Sequence, residues 1–247
     1  MIRFDCSAII FDLDGVLVDS AAFVERQWRR WAAARGLRPE PFLQICHGRR
    51  ALETIRLAAP QFDAEAEVEL LAADDETPGP DLRPLPGALR LLGQLPPAAW
   101  GVATSGRRAT AVARLRAAGL PDPRVMICAE DVGQGKPHPE VYQRAGIALG
   151  ALPSECVVIE DAAPGVEAAR AAGMFPIGLA TTHDCAALPV DVCAASLADV
   201  HLGRVEPQGW DRQRLELLVI EIARERRPAG LEQRRAPRAS AGREPRG

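Results

Sequence analysis

Two carboxylates stand two residues apart, Asp12 and Asp14, directly after the apolar run Ala8-Ile9-Ile10-Phe11. Such a run reads as a buried strand, and strand residues two apart share a face. Gly15 then turns the chain at the strand's carboxyl end. Two acids so placed repel each other unless a cation lies between them, so their spacing suggests metal-dependent chemistry. Lysine usage gives a second signal. Of the 30 basic residues only Lys136 is a lysine. In a chain this rich in arginine, a lone lysine is either an accident of codon usage or a place where a compact point charge is needed and a planar fork does not serve.

The elements that must position these groups follow from periodicity. A helix is expected from Asp19 or Ser20, both good N-caps. It carries Val24, Trp28, Trp31 and Ala32 on one stripe and is closed by Gly36. Residues 20–86 read as wholly helical, with breaks at Pro39, Pro41 and Pro60, and the Pro/Gly-rich stretch from Glu76 to Gly87 reads as a return hinge. From there strands alternate with helices. Strands are expected at Trp100–Thr104, Val125–Cys128, Val157–Ile159 and Phe175–Leu179. The helices between them start at Ser105, Pro139 and Pro164. Alternation of this kind implies an α/β chain with a Rossmann-like parallel sheet and helices on both faces.

In parallel sheets ligands bind outside the carboxyl ends of the strands. The polar residues that follow each expected strand are Asp12 and Asp14, then Thr104-Ser105-Gly106, then Gly135-Lys136-Pro137 beyond a loop, then Glu160-Asp161. Any one of these has an ordinary explanation. Thr104 and Ser105 would cap a helix, Lys136 would lie on the surface, and Glu160-Asp161 would be a solvated loop. Their joint occurrence at consecutive strand ends does not. The carboxylates suit a hard divalent cation, most naturally Mg²⁺. The hydroxyls, helix-start N–H groups and ammonium suit a phosphoryl group.

At these residues the chain resembles the haloacid dehalogenase superfamily, and within it the phosphatases with a helical cap. Asp12-Leu13-Asp14-Gly15-Val16-Leu17 is similar to that family's first motif, Thr104-Ser105-Gly106 to the second, Lys136-Pro137 to the third and Glu160-Asp161 to the fourth. The resemblance spans roughly residues 5 to 200. It implies a core domain of residues 1–19 and 87–223 and a helical cap of residues 20–86. It further implies that Asp12 is a nucleophile forming an aspartyl-phosphate, with Asp14 as general acid and then base. Thr104 and Ser105 would bind the phosphoryl oxygens, and Lys136 would bridge Asp12 and the phosphoryl group. Mg²⁺ would be held by Asp12, Asp14 through its carbonyl, and Asp161, with Glu160 as a further metal residue that either touches the ion or stands directly behind its ligands. Ala162 departs from the pattern, because many members have a small hydroxyl residue there. The presence of Asp14 favours phosphoryl transfer over dehalogenation, which needs no proton on its leaving group.

The segment Cys46-His47-Gly48-Arg49-Arg50 is a basic turn. Gly48 permits a bend that aims His47 and Arg49 at the site, and His-Gly-Arg in the first cap loop resembles phosphatases of sugar and polyol phosphates. Arg50 reads as an ordinary surface residue. With no lysine in the cap, Schiff-base chemistry there is excluded. The expected activity is hydrolysis of a small phosphorylated sugar or polyol. The alternatives are a hexose-phosphate mutase of the β-phosphoglucomutase type and a non-catalytic ligand-binding regulator.

Composition sets the remaining bounds. The chain has 247 residues, 47% of them hydrophobic, enough for one core with an insertion. The tail 224–247 holds eight Arg and three Glu, so the net charge of −3 becomes −8 for the body. That tail is expected to be a disordered basic segment, and it has no aromatic residues to stack on bases, which argues against nucleic acid. No stretch approaches the length of a membrane span, and no signal peptide is evident. The six cysteines, scattered without a CxxC pair, suggest reduced buried thiols and a cytoplasmic protein. A monomer is the default expectation.

Overall fold

The computed structural model describes residues 2–75, 81–203 and 218–222. Residues 76–80 of the expected hinge and the basic tail 224–247 lie outside them. In chain order the main elements are β1 (Ile2–Cys6), β2 (Ala8–Phe11), β3 (Val18–Asp19), α1 (Ala21–Ala34), α2 (Glu40–Leu43), α3 (Ala51–Ala58), α4 (Ala64–Asp75), β4 (Arg83–Pro84), α5 (Ala88–Gln94), β5 (Trp100–Ala103), α6 (Arg108–Ala117) and β6 (Val125–Ile127). After these come α7 (Glu140–Leu149), β7 (Cys156–Glu160), α8 (Ala163–Ala171), β8 (Phe175–Leu179), β9 (Cys193–Ala194), β10 (Val200–Gly203) and β11 (Leu218–Ile222).

The main sheet has six strands in the order β6-β5-β2-β7-β8-β9, all paired in parallel. β2 lies between β5 and β7. The chain leaves β2 for the β5 side and later returns to the β7 side, which places a topological switch point at the end of β2. Each face of β2 is buried: Ile9 and Phe11 enter one apolar cluster and Ala8 and Ile10 the other. A strand covered on both sides has no polar alternation, which is why it reads as a continuous apolar run.

Helices α1 to α4 are inserted between β3 and β4, which pair antiparallel so that Val18 opposes Pro84. The insertion has its own core, built on Trp28, Trp31 and Phe42. Trp28 stacks on Phe42 with ring centroids 5.7 Å apart. The insertion is helical as expected, except that the chain returns through a strand residue pair before residue 86. Pro41 does not break a helix. It occupies the first turn of α2, where the missing N–H has no partner to lose.

Three further departures have physical causes. Ser105 does not cap α6. That helix starts at Arg108, and the Arg108 N–H is met by the Glu130 carboxylate at 3.1 Å. A separate antiparallel sheet, ordered β1-β11-β10, joins the chain's start to residues 218–222. Its two-residue alternation is too short to stand out in the sequence. The thiol expectation holds for Cys6, Cys46, Cys128 and Cys156, which are free and buried. It fails for Cys185 and Cys193, which form a disulfide across an eight-residue separation, joining the connection after β8 to the first residue of β9. Among the described residues no helix is long and apolar enough to cross a membrane.

Candidate active site

The site lies where β2, β5 and β7 end. Asp12 directly follows β2, and its N–H donates to the Ile159 carbonyl on β7 (3.0 Å). Glu160 closes β7, and Asp161 and Ala162 lead into α8. Thr104 follows β5. Lys136 comes from the loop ahead of α7 and reaches under the sheet's edge with only 1% of its surface exposed.

Lys136 is the hub. Its Nζ donates to Asp12 Oδ1 (2.6 Å), Glu160 Oε1 (2.7 Å) and the Ala103 carbonyl (3.1 Å). An ammonium has three N–H donors, and these three acceptors use them all. Glu160 is bracketed in turn. Tyr142 Oη donates to its Oε1 (2.7 Å), while the N–H groups of Asp161 (3.0 Å) and Ala162 (3.1 Å) donate to its Oε2. Gly165 is required beside it, since a Cβ there would lie 1.7 Å from Glu160 Oε1.

Asp12, Glu160 and Asp161 each offer a carboxylate oxygen, all within 4.8 Å of one another and all buried. Burial, followed by repulsion from Glu160 and Asp14, pushes the Asp12 pKa up to about 7 against the pull of Lys136. Burial and the neighbouring carboxylates raise Asp161 well above the carboxylate range. For Lys136 burial works against the charge, and the attraction of Asp12 and Glu160 overcomes it, so the ammonium is held firmly protonated. Both acids therefore sit where a further positive charge would stabilise them.

Asp14 stands at the turn. Its Oδ1 accepts from Ser20 Oγ (2.6 Å) and pairs with Arg114 Nη1 (2.7 Å). Thr104 Oγ1 accepts the Gly106 N–H (3.0 Å), shaping a tight turn opposite Asp14. Gly15, at φ +77°, is needed because a Cβ would fall 2.0 Å from Asp161 Oδ2. Thr182 donates to that same Asp161 oxygen, Thr181 donates to the Gly15 carbonyl, and His183 Nδ1 meets the Asp161 carbonyl at 3.2 Å.

The insertion reaches the same place. Gly48 has φ +74°, and a Cβ on it would lie 2.8 Å from the Ala162 Cβ, so a glycine lets the basic turn settle onto the loop after β7. Ser105 Oγ donates to the Gly48 carbonyl (2.9 Å). His47 faces His183 edge-on at 6.0 Å, and burial, then the second imidazole, lowers its pKa. Arg49 lines a cleft of about 480 Å³ together with Arg50, Glu53 and the segment Gln134–Pro139, which includes Lys136. Arg50 is no ordinary surface residue. Its Nη1 donates to the carbonyls of Ala129 (3.4 Å) and Val132 (3.0 Å), its Nη2 to that of Gly133 (3.2 Å). Glu53 accepts the N–H of Gly135 (2.9 Å).

The structure thus brings together Asp12, Asp14, Thr104, Lys136, Glu160 and Asp161, with His47, Arg49 and Ser105 at the junction above them. Sequence reasoning passed over Arg114, Tyr142, Arg50, Glu53 and the Thr181-Thr182-His183 turn. The last of these follows β8, so asking what comes after the fifth strand would have found it. Arg114 occupies a core position on the stripe Ala111-Arg114-Leu115-Ala118, where a charge is itself a signal.

Comparison with known proteins agrees with this geometry. Residues 6–173 match the model of the haloacid dehalogenase-like hydrolase family. Hexitol phosphatase A of Escherichia coli (strain K12) is 40% identical over 210 residues, covering 83% of this chain and 97% of that protein. Glycerol-1-phosphate phosphohydrolase 2 of Saccharomyces cerevisiae is 37% identical over 190 residues, covering 72% of this chain and 76% of that protein. Among solved structures, a hydrolase from Pseudomonas syringae superposes with a TM-score of 0.68 at 26% identity, covering 78% of this chain and 95% of the other. The parallel sheet gathers the functional groups at the carboxyl ends of its strands, and the matches define a hydrolase of α/β architecture. The chain belongs to the haloacid dehalogenase-like hydrolase family.

Proposed function

We propose that this chain is an Mg²⁺-dependent phosphatase that hydrolyses a small phosphorylated sugar or polyol through an aspartyl-phosphate on Asp12. The observation that carries the reading is the Lys136–Asp12–Glu160 cluster beside Asp161 at the ends of adjacent parallel strands. The relatives named above act, by their names, on hexitol and glycerol phosphates. The residues fit a hard divalent cation. Three buried carboxylates face one ammonium, which leaves two negative charges uncompensated, and burial has already raised Asp12 and Asp161. Asp12 and Asp161 would hold the ion, with the Asp14 carbonyl. Glu160, whose oxygens already take four donors, would act beside it by fixing Lys136. When bound, the ion offsets charge between a carboxylate nucleophile and an anionic ester.

Asp12 attacks phosphorus as the ester P–O bond breaks, and Asp14 gives a proton to the departing alkoxide. Water then attacks the aspartyl-phosphate as Asp14 takes a proton from it, the P–O bond to Asp12 breaks, and inorganic phosphate leaves. Lys136 keeps Asp12 anionic and spreads the phosphoryl charge. Thr104 donates its hydroxyl to a phosphoryl oxygen, while Ser105 ties the phosphate turn to the insertion. The helical insertion, residues 20–86, acts as a cap. His47 and Arg49 face the leaving group, for which the cleft beside Arg49 provides room. The test is a phosphate-release screen over small phosphate esters, with Mg²⁺ and with EDTA. Turnover that requires the metal and is abolished in Asp12→Asn supports the reading. A fully active Asp12→Asn protein, or isomerisation of a hexose phosphate without net phosphate release, overturns it.

A further inference from the structure

We propose that Arg114 is a positioning residue for Asp14, and that it determines which oxygen of that carboxyl carries the catalytic proton. This rests on Asp14 being the acid and base of the reaction above. Arg114 lies on the buried face of α6 with 4% of its surface exposed, and its guanidinium stands over the Phe23 ring at 5.4 Å. Its Nη1 is 2.7 Å from Asp14 Oδ1, the same oxygen that accepts from Ser20 Oγ at 2.6 Å. The other oxygen, Oδ2, is directed at the phosphate turn, where a Cβ built on Gly106 would stand 4.0 Å from it and 3.4 Å from Thr104 Oγ1.

The asymmetry has a chemical consequence. A guanidinium has only donors and does not lose its proton in proteins. The oxygen it binds therefore remains an acceptor whether Asp14 is a carboxylate or a carboxylic acid. When Asp14 takes up a proton, that proton is placed on Oδ2, on the side of the turn proposed to hold the phosphoryl group and therefore toward the ester oxygen on its phosphorus. Without such a partner an aspartate carboxyl rotates broadly about its last torsion, and the proton is shared between two directions of which one is useless. Lysine at 114 would preserve the donor-only character. A neutral apolar side chain of similar length would not.

Leaving-group chemistry isolates this role. An alkoxide must be protonated as it departs, whereas p-nitrophenolate leaves as a stable anion. The ratio kcat/KM reports only the steps through alcohol release, so it excludes the later hydrolysis of the aspartyl-phosphate. In Arg114→Met, kcat/KM for glycerol 1-phosphate, or whichever alkyl ester the screen returns, should fall about 100-fold, the scale of a lost general acid. For p-nitrophenyl phosphate it should fall less than about fivefold, since no proton is needed there. Arg114→Lys should restore most of the alkyl-ester rate. If Arg114→Met does not fold, Arg114→Gln should show the same selective loss to a smaller degree. Equal losses on both esters, or no loss on either, overturn the proposal, because a merely structural arginine cannot tell leaving groups apart. Asp14→Asn provides the control. If it is selective against the alkyl ester and Arg114→Met is not, only the role of Arg114 fails. If it is not selective either, the assignment of Asp14 fails with it.

Discussion

Replacing Lys136 by methionine tests the electrostatic design of the site through stability alone. The side chain is 1% exposed and donates to Asp12, Glu160 and the Ala103 carbonyl. Methionine fills similar space and leaves two buried carboxylates facing each other. Breaking a buried pair from one side costs about 3–5 kcal/mol. The sign with pH follows from Asp12, whose pKa is already about 7 with the lysine in place. Losing the ammonium pushes it higher, so below pH 7 Asp12 is protonated in both proteins and the gap between wild type and Lys136→Met should be flat. Above pH 7 only the wild type holds Asp12 as a carboxylate, and the gap should widen by up to about 1.4 kcal/mol per pH unit. Urea unfolding in EDTA, followed by tryptophan fluorescence and circular dichroism together, measures it. Removing the facing charge as well, in Lys136→Met/Asp12→Asn, should regain most of the loss. A gap that is small at pH 7, or that does not widen as pH rises above 7, would refute the reasoning. Lys136→Arg should also fail to rescue activity, since a longer planar fork cannot meet three acceptors arranged around one nitrogen.

Other outcomes follow from the same coordinates. Arg50→Ala removes three hydrogen bonds from the insertion to the loop ahead of Lys136. It should raise KM in steady-state assays while lowering stability by about 1–2 kcal/mol. Gly15→Ala places a Cβ 2.0 Å from Asp161 Oδ2 at a φ of +77°, and should abolish Mg²⁺-dependent phosphate release in a protein that still gives a cooperative melt. Burial pushes the thiols of Cys6, Cys46 and Cys128 up to about 12 and that of Cys156 to about 11. Because only the thiolate reacts, iodoacetamide at pH 8 should label the native protein negligibly. It should label four sites after denaturation without reductant and six after reduction, as counted by mass spectrometry.

The core of the fold was legible because its signals are local. β2, β5, β7 and β8 are runs buried on both faces of the sheet, and the acids and hydroxyls follow their ends, while Lys136 lies in the loop beyond β6. The parts that were not legible depend on contacts between segments far apart in the chain. Nothing near Arg50 indicates that its guanidinium will meet carbonyls about eighty residues later. The cysteine pair has no spacing motif; Cys185 lies in the connection after β8 and Cys193 opens β9, so their partnership is set by the pairing of β8 with β9. Tyr142 is the chain's only tyrosine and lies on a buried helix face. Its hydroxyl needed a partner there, but the sequence did not name Glu160 as that partner.

The hydrogen bonds from the insertion fall on the site's own turns rather than on neutral surface. Ser105, next to Thr104, is bound to Gly48, and Gly135, next to Lys136, is bound to Glu53. A Cβ on Gly135 would lie 2.6 Å from Glu53 Oε2, so the lysine loop and α3 fit only at backbone contact. The insertion is therefore bonded both to the turn after β5 and to the lysine loop. His47 and Arg49, the residues proposed to face a leaving group, belong to the same short turn as Gly48 and Arg50, which hold the insertion down. A change in that turn alters leaving-group contacts and site assembly together. Substitutions at 47 or 49 intended to change substrate preference should therefore be made with Gly48, Arg50 and Glu53 intact.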